Sequence, residues 1–463
     1  MWNNEGIKDT VRRWADLQSP TVLTITRALI FVLGLILVSF VLHTTQIFAY
    51  INTSVFIRTG PLHLGEAQNQ SIILGPELVT ISGERTGFNS NSGEWPPRLE
   101  FAILESSGPA FDLYLQCQHQ FMTKNESDTL SFYQIAGIHG RPYKEFNGVK
   151  GNANLGLGYC KHNSALFLLW HRAYVALYEQ IISECAQSLA PRYPATIRAD
   201  YVNAAKTLRL PYWDWASTPA LPEFLQRATC TVRSPEGFRT IQNPLYQYKY
   251  PPWAHEGTDP DLPPPSNGSA CSLPFTVRSP NKDFVSQPEV ANSNLNKVNF
   301  RNHTYRFFTS LEGNWDYFAT AARWNPRRKD SLEYIHNYVH YSINGTMPNN
   351  DCSAFDPVFW LHHAKSNTDR LLALWQAVFP KTFVGSSVND EGAFSTSPGT
   401  VETPDSPLAP FFNAKDREPL TAHMVRSIRD FGYSYPELQG DSQLSEGAVR
   451  HKVMQQVTRM YGA

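Results

Sequence analysis

Ser331-Leu332-Glu333-Tyr334-Ile335-His336-Asn337-Tyr338-Val339-His340 is the stretch that decides how this chain is read. Leu332, Ile335 and Val339 recur at helical spacing, so the segment predicts a helix with one buried stripe. His336 and His340 are then i and i+4 neighbours, the arrangement by which a helix gives two imidazoles to one metal ion. A third ligand is available from Phe355-Asp356-Pro357-Val358-Phe359-Trp360-Leu361-His362-His363. Asp356 predicts an N-cap and Pro357 a first helical residue, so the adjacent histidines ride an early turn of a new helix. Neighbouring residues point about 100° apart, so one of the two ligates.

A second cluster lies upstream and is built differently. His162 and His171 are too far out of phase to share an ion from one helix. Asn163 or Ser164 can cap a helix running through Ala165-Leu166-Phe167-Leu168-Leu169-Trp170-His171 toward Cys185, which leaves His162 on the preceding loop. His139 follows a helical stretch, Ser131 to Ile138, closed by Gly140 and Pro142. Three plus three imidazoles without a carboxylate exclude magnesium and calcium, which want oxygen, and suit copper among the metals that imidazole favours.

Around these histidines the sequence resembles the fungal tyrosinases. Tyr133-Gln134-Ile135-Ala136-Gly137-Ile138-His139-Gly140, Gly158-Tyr159-Cys160-Lys161-His162 and Trp170-His171-Arg172-Ala173-Tyr174 are similar to that family's first copper motif. His336-Asn337-Tyr338-Val339-His340 and the Phe355–His363 segment resemble its second. Leu210-Pro211-Tyr212-Trp213-Asp214-Trp215-Ala216-Ser217, Asn243-Pro244-Leu245-Tyr246 and Phe431-Gly432-Tyr433-Ser434-Tyr435-Pro436 look like further family segments. The likeness runs from about residue 70 to residue 440.

The resemblance implies a mainly α fold, a four-helix core around a binuclear type 3 copper site with long loops and few short strands. It implies two copper ions, one held by His139, His162 and His171, the other by His336, His340 and His363. His362 is then an orienting neighbour. Cys160 matches the cysteine that in fungal members forms a thioether to the histidine at the position of His162. Glu333 and Asn337 match the Glu and Asn that hold and polarise a water in the family; a solvated helix carboxylate is the other reading of Glu333. Trp213 and Trp215 are expected in the core rather than in contact with the site. The implied activity is phenol oxidation, in which dioxygen and a small phenol give an o-quinone. A catechol oxidase or biosynthetic relative without monophenol hydroxylation is the alternative, and a hemocyanin-like oxygen carrier is the reading from another class.

One departure stands out. The family reads His-His-x-Asn-x-Asp-Arg, whereas His362-His363-Ala364-Lys365-Ser366-Asn367-Thr368-Asp369-Arg370 carries two more residues before Asp369. Two extra helical residues rotate everything downstream by about 200° unless a bulge absorbs them. Either a bulge lies beside the metal or Lys365-Ser366 marks a misdrawn exon boundary.

Composition and the termini complete the reading. The 463 residues carry a formal net charge of -1, which gives no electrostatic footing for nucleic acid. The Pro-rich stretch from Tyr250 to Pro280 reads as a long loop between the two metal-binding halves. Ala28 to Leu42 is an apolar run, weakly extended to Ile51 and preceded by Lys8, Arg12, Arg13 and Arg27. Its charged leader favours a membrane signal-anchor over a peptide cleaved near Ala49. The expected layout is a cytosolic tail at 1–27, an anchor or signal peptide at 28–51, a linker at 52–69, the catalytic domain at 70–440 and a tail at 441–463. Sequons at Asn52, Asn69, Asn125, Asn267, Asn302 and Asn344 all follow the apolar run, which predicts a glycosylated lumenal or extracellular domain. With Cys160 set aside, Cys117, Cys185, Cys230, Cys271 and Cys352 are odd in number, so at least one stays free. About thirty residues follow Tyr433, and Glu446 to Met460 predicts a short amphipathic helix. An enzyme without a large covering domain is the expectation.

Overall fold

The computed structural model describes residues 78–255, 270–365 and 369–462. The apolar run, the sequons at Asn52, Asn69 and Asn267, and Ser366 lie outside the described residues. Among the described residues no helix is long and apolar enough to cross a membrane.

Helices dominate, and the strands come only in short pairs. The helices that matter to the site are α1 (Pro109–Met122), α2 (Phe132–Gly137), α3 (Phe167–Leu189), α4 (Phe300–Thr309), α5 (Leu332–Ile343), α6 (Pro357–Lys365), α7 (Arg370–Val378) and α8 (Glu446–Tyr461). β1 (Thr80–Ile81) pairs in parallel with β6 (Phe412–Asn413). β2 (Thr229–Ser234) and β3 (Gly237–Gln242) form one antiparallel hairpin, and β4 (Ser387–Asn389) and β5 (Thr400–Glu402) another.

The caps show why the site helices begin where they do. Ser131 Oγ accepts from Gln134 N to start α2, and Ser331 Oγ accepts from Tyr334 N to start α5. Asp356 Oδ1 accepts from Val358 N one residue before Pro357, as the sequence predicts for α6. α3 departs from expectation: it starts at Phe167 with Leu166 in the cap position and no side-chain cap. Ser164 Oγ is engaged with Leu166 N and with Glu402 instead, so the loop before α3 is held by long-range contacts rather than by a capping residue. From Phe167 to Glu179 every α3 side chain is buried, which makes α3 the central helix of the core.

Two disulfides, Cys117–Cys185 and Cys271–Cys352, tie α1 to α3 and the Pro-rich segment to the loop before α6. Cys160 and Cys230 are free, as the odd count requires. How the two extra residues after His363 are accommodated lies outside the described residues. α6 ends at Lys365, α7 begins at Arg370, and Asp369 and Arg370 are both fully buried. Arg370 Nη1 donates to Tyr461 OH, which, with buried Val453 and Val457, docks α8 onto the core.

Candidate metal centre

Four segments bring seven imidazoles together. α2 delivers His139 two residues past its end, the loop before α3 delivers His162, and α3 itself carries His171. Two glycines permit the close approach. A Cβ on Gly158 would stand 2.0 Å from His139 O, and one on Gly140 2.3 Å from Asn350 O. Any side chain at either position would push His139 off its seat.

The rings of His139, His162 and His171 form one triangle, with centroids 5.1, 5.6 and 5.7 Å apart. Those of His336, His340 and His363 form a second, at 4.5, 4.5 and 5.4 Å. The triangles face each other through His171 and His363, whose centroids are 4.8 Å apart. His340 Nε2 and His363 Nε2 lie 3.3 Å apart, the spacing of two ligands on one ion bonded at about 2 Å.

Backbone carbonyls set the tautomers. His139 Nδ1 donates to Asn350 O (3.1 Å), His171 Nδ1 to Phe167 O (2.8 Å) and His340 Nδ1 to Met347 O (2.7 Å). A carbonyl only accepts, so each proton sits at Nδ1 and Nε2 is left with a bare lone pair. In His139 and His171 that Nε2 is buried with no hydrogen-bond partner. Such atoms are costly in a protein interior unless a metal takes the lone pair. Burial, reinforced by the neighbouring imidazoles, pushes the histidines well below their ordinary pKa, His162 to about 3 and His340, by burial, to about 4. They are neutral at pH 7 and competent to ligate. Close groups of possible ligand atoms form on both sides, His336, His340, His362 and His363 on one and His139, Cys160 and His162 on the other. With His171 facing His363, the imidazole-dominated donor set fits two copper ions.

His362 is held differently. Trp215 Nε1 donates to His362 Nδ1 at 3.1 Å, so Trp215 is in the core as expected but also touches the site, a contact the sequence does not signal. Cys160 Sγ lies 3.2 Å from His162 Nδ1, and Asn350 Nδ2 is 3.2 Å from the same atom. Asn350 therefore reaches both His139 and His162. No sequence pattern marks it, because half of its role is played by its backbone carbonyl.

Glu333 is no solvated carboxylate. It is fully buried, with Oε1 accepting from Asn163 N (2.6 Å) and Oε2 from Ala321 N (2.7 Å) and Thr320 Oγ1 (3.1 Å). Burial raises its carboxyl to about 8 against the pull of those three donors. The other predicted polar residue, Asn337, lines a cavity of about 130 Å³ together with His162, His336, His340, Tyr341 and Asn350. That is the scale of a single aromatic ring, since a cavity of about 150 Å³ takes up benzene. A larger cleft, about 440 Å³, runs between α7 and residues 423–441, but its one imidazole, His423, belongs to neither triangle. Chemistry rather than size identifies the site.

Residues 129–378 match the family model described as the common central domain of tyrosinase. The chain is 36% identical to a tyrosinase of Neurospora crassa over 83% of its own length and 58% of that protein's. It is 31% identical to polyphenol oxidase 3 of Agaricus bisporus over 74% of its length and 61% of the relative's. The chain thus spans about three-fifths of the length of these relatives. Among solved structures, mushroom tyrosinase superposes with a TM-score of 0.74 at 29% identity, covering 84% of this chain and 99% of that one. The copper-bound active tyrosinase of Aspergillus oryzae shares the fold at a TM-score of 0.69 and 24% identity, covering 84% of this chain and 100% of its own. With two facing histidine triangles inside the matched region, the chain belongs to the tyrosinase family.

Proposed function

We propose that this chain is a copper-dependent phenol oxidase that uses dioxygen to hydroxylate monophenols and to oxidise o-diphenols to o-quinones. The observation that carries it is the pair of imidazole triangles, with lone pairs bared by carbonyl-held Nδ1–H groups, beside a cavity sized for one ring. His139, His162 and His171 would hold one copper and His336, His340 and His363 the other. The two bound ions supply the redox chemistry with dioxygen. The chain's part is to fix ligand geometry, to keep bulk water out and to manage the phenol proton.

Of the adjacent pair, His363 is the ligand in this reading: its ring stands 4.5 Å from that of His336 and 4.8 Å from that of His171, between the two triangles, whereas His362 Nδ1 is engaged by Trp215 Nε1. That contact supports an orienting role for His362.

A phenol with pKa near 10 needs help to lose its proton at neutral pH. Glu333 sits one turn before His336; with its carboxyl raised to about 8 it is mostly protonated at pH 7, and in the ionised form that would take a proton each of its oxygens accepts at two positions. Three of the four are filled by Asn163, Ala321 and Thr320, which leaves one on Oε1 for a water that Asn337 polarises from the cavity wall. The copper-loaded protein should oxidise both a monophenol and its catechol. Asn337→Ala should slow the monophenol at least about tenfold more than the catechol, a smaller demand than the roughly 10²- to 10⁴-fold that a general base contributes, with the copper content unchanged. The three filled positions on Glu333 also favour a second reading, a catechol oxidase in which Glu333 only braces the His162 loop. Parallel loss on both substrates, or no monophenol turnover in the unaltered protein, would establish that reading.

Two modifications complete the proposal. Cys160 Sγ stands against the His162 ring with no disulfide partner, which supports a thioether formed with loss of the thiol hydrogen and one ring hydrogen. The exposed sequons Asn125, Asn302 and Asn344 and the two disulfides support a lumenal or extracellular domain, with residues 28–51 as its anchor. Peptide mass spectrometry of native protein from a eukaryotic host tests both. The peptide holding residues 160 and 162 should weigh two hydrogens less than its sequence, and at least one of the three sequons should carry glycan. A freely alkylated Cys160 in active protein, or bare asparagines throughout, would overturn the respective claim.

A further inference from the structure

We infer that Glu391 selects among phenols by charge, favouring those whose ring carries a cationic amine on its tail; this rests on the phenol-oxidase reading of the same site. Glu391 belongs to the turn joining β4 and β5 and lines the copper-side cavity. The other side chains lining that cavity are imidazoles, amides, Tyr341, Met347 and Pro348, with no second carboxylate and no ammonium or guanidinium among them. Glu391 is thus the single formal charge that a bound ring meets on the protein side.

The same side chain also lines a second basin of about 320 Å³, whose other walls are Asn163, Arg323 and Asp390. Asn163 and Glu391 are common to both cavities, so the two adjoin there. A ring bound in the first cavity has this basin as an adjoining space for a substituent. A substituent there would find two exposed carboxylates and one exposed guanidinium, none of them in an ion pair among the described residues. The balance is negative, and Glu391 is the one member of the three that also lines the ring's cavity. An ammonium on the tail is attracted there and a carboxylate repelled. Any field from the metals acts on the tail charge as well, but it is the same in every Glu391 variant, so the change on substitution isolates the share of this carboxylate.

The test compares 2-(3,4-dihydroxyphenyl)ethylamine, 4-methylcatechol and 3-(3,4-dihydroxyphenyl)propionate on the copper-loaded full chain, with every rate expressed relative to 4-methylcatechol on the same variant. In the unaltered protein kcat/KM for the amine should exceed that for the carboxylate by about fivefold, since an exposed charge pair changes an affinity by a factor of roughly 1.4 to 5 and here one substrate gains while the other loses. Glu391→Gln should bring the two within about twofold, and Glu391→Lys should invert the order. Raising salt from about 0.01 M to about 1 M, which shortens the screening length from roughly 30 Å to roughly 3 Å, should flatten the preference of the unaltered protein. A preference that survives both substitutions unchanged, or one that runs toward the carboxylate and so points to Arg323, would overturn the assignment. Because Glu391 is exposed, the variants keep their fold, and unchanged copper content checks this. Failure of the unaltered protein to oxidise even 4-methylcatechol would remove the reaction itself and is distinct from loss of the charge preference.

Discussion

His340→Ala lowers bound copper from two per chain to one and takes oxidation of catechols below detection; His171→Ala and His363→Ala do the same. Each of these residues stands in one of the two triangles, and a site with two imidazoles in place of three cannot close around its ion. His362→Ala behaves differently. Its Nδ1 is taken by Trp215, so it supports its neighbours without ligating, and its loss weakens copper binding by about 10- to 100-fold while leaving two ions per chain at saturating metal. His423→Ala changes neither quantity, since that ring is half exposed and lies 3.7 Å from Asp405, away from both clusters. Metal analysis by mass spectrometry, run beside a catechol assay, separates the three classes. Two coppers in His340→Ala, or one in His362→Ala at saturation, would overturn the ligand assignment. Equal loss in His423→Ala would show that the assay reports folding rather than ligation.

The helices that carry ligands were legible because the apolar period and the caps act locally. Ser331 and Asp356 cap as their positions suggest, and His336 and His340 fall on one face because four residues make about one turn. Less legible is what holds the ligands still. The carbonyls of Phe167, Met347 and Asn350 have no side-chain signature, and only the fold decides which imidazole each receives. Trp215 and His362 are 147 residues apart in sequence, so their hydrogen bond is invisible to any local pattern. Glu333 illustrates the same limit. Helical phase places it one turn before His336, but its burial depends on Asn163 and on Thr320-Ala321, two segments that arrive from elsewhere. Ser164 looked like a cap because its type favours that role; tertiary contact with Glu402 outweighed the local preference. Glu391 belongs to a turn with no motif, and the adjoining cavities alone mark it.

Asp369→Asn destabilises the fold by about 3–5 kcal/mol, the usual consequence of removing one partner from a buried ionic cluster. The carboxylate accepts from Arg98 Nη1 (2.8 Å), Arg172 Nε, Tyr433 OH (2.6 Å) and Tyr435 OH (2.6 Å), and every one of these side chains is buried. Burial by itself would push the Asp369 carboxyl up, but Arg172 and Arg98 overrule it and hold it below the ordinary carboxylate range. An amide at this position keeps the shape and loses the charge. Arg98 would keep Glu179 at 2.8 Å, but Arg172 would be left with neutral acceptors only, Gln376 Oε1 and the carbonyls of Val425 and Arg426. The location makes the effect functional as well. Arg172 follows His171 on α3, and Asp369 stands directly before α7. Asp369 thus joins the helix holding one copper ligand to the segment that follows another, His363. Asp369→Asn should accordingly lower the midpoint of thermal unfolding by roughly 6–20 °C, from about 2–4 °C per kcal/mol, and should release copper on heating before the bulk of the helix melts. Asp405→Asn, at a side chain 84% exposed, supplies the control and should leave the midpoint within about 1 °C. A midpoint in Asp369→Asn as unmoved as in that control would mean that the two arginines do not depend on this carboxylate.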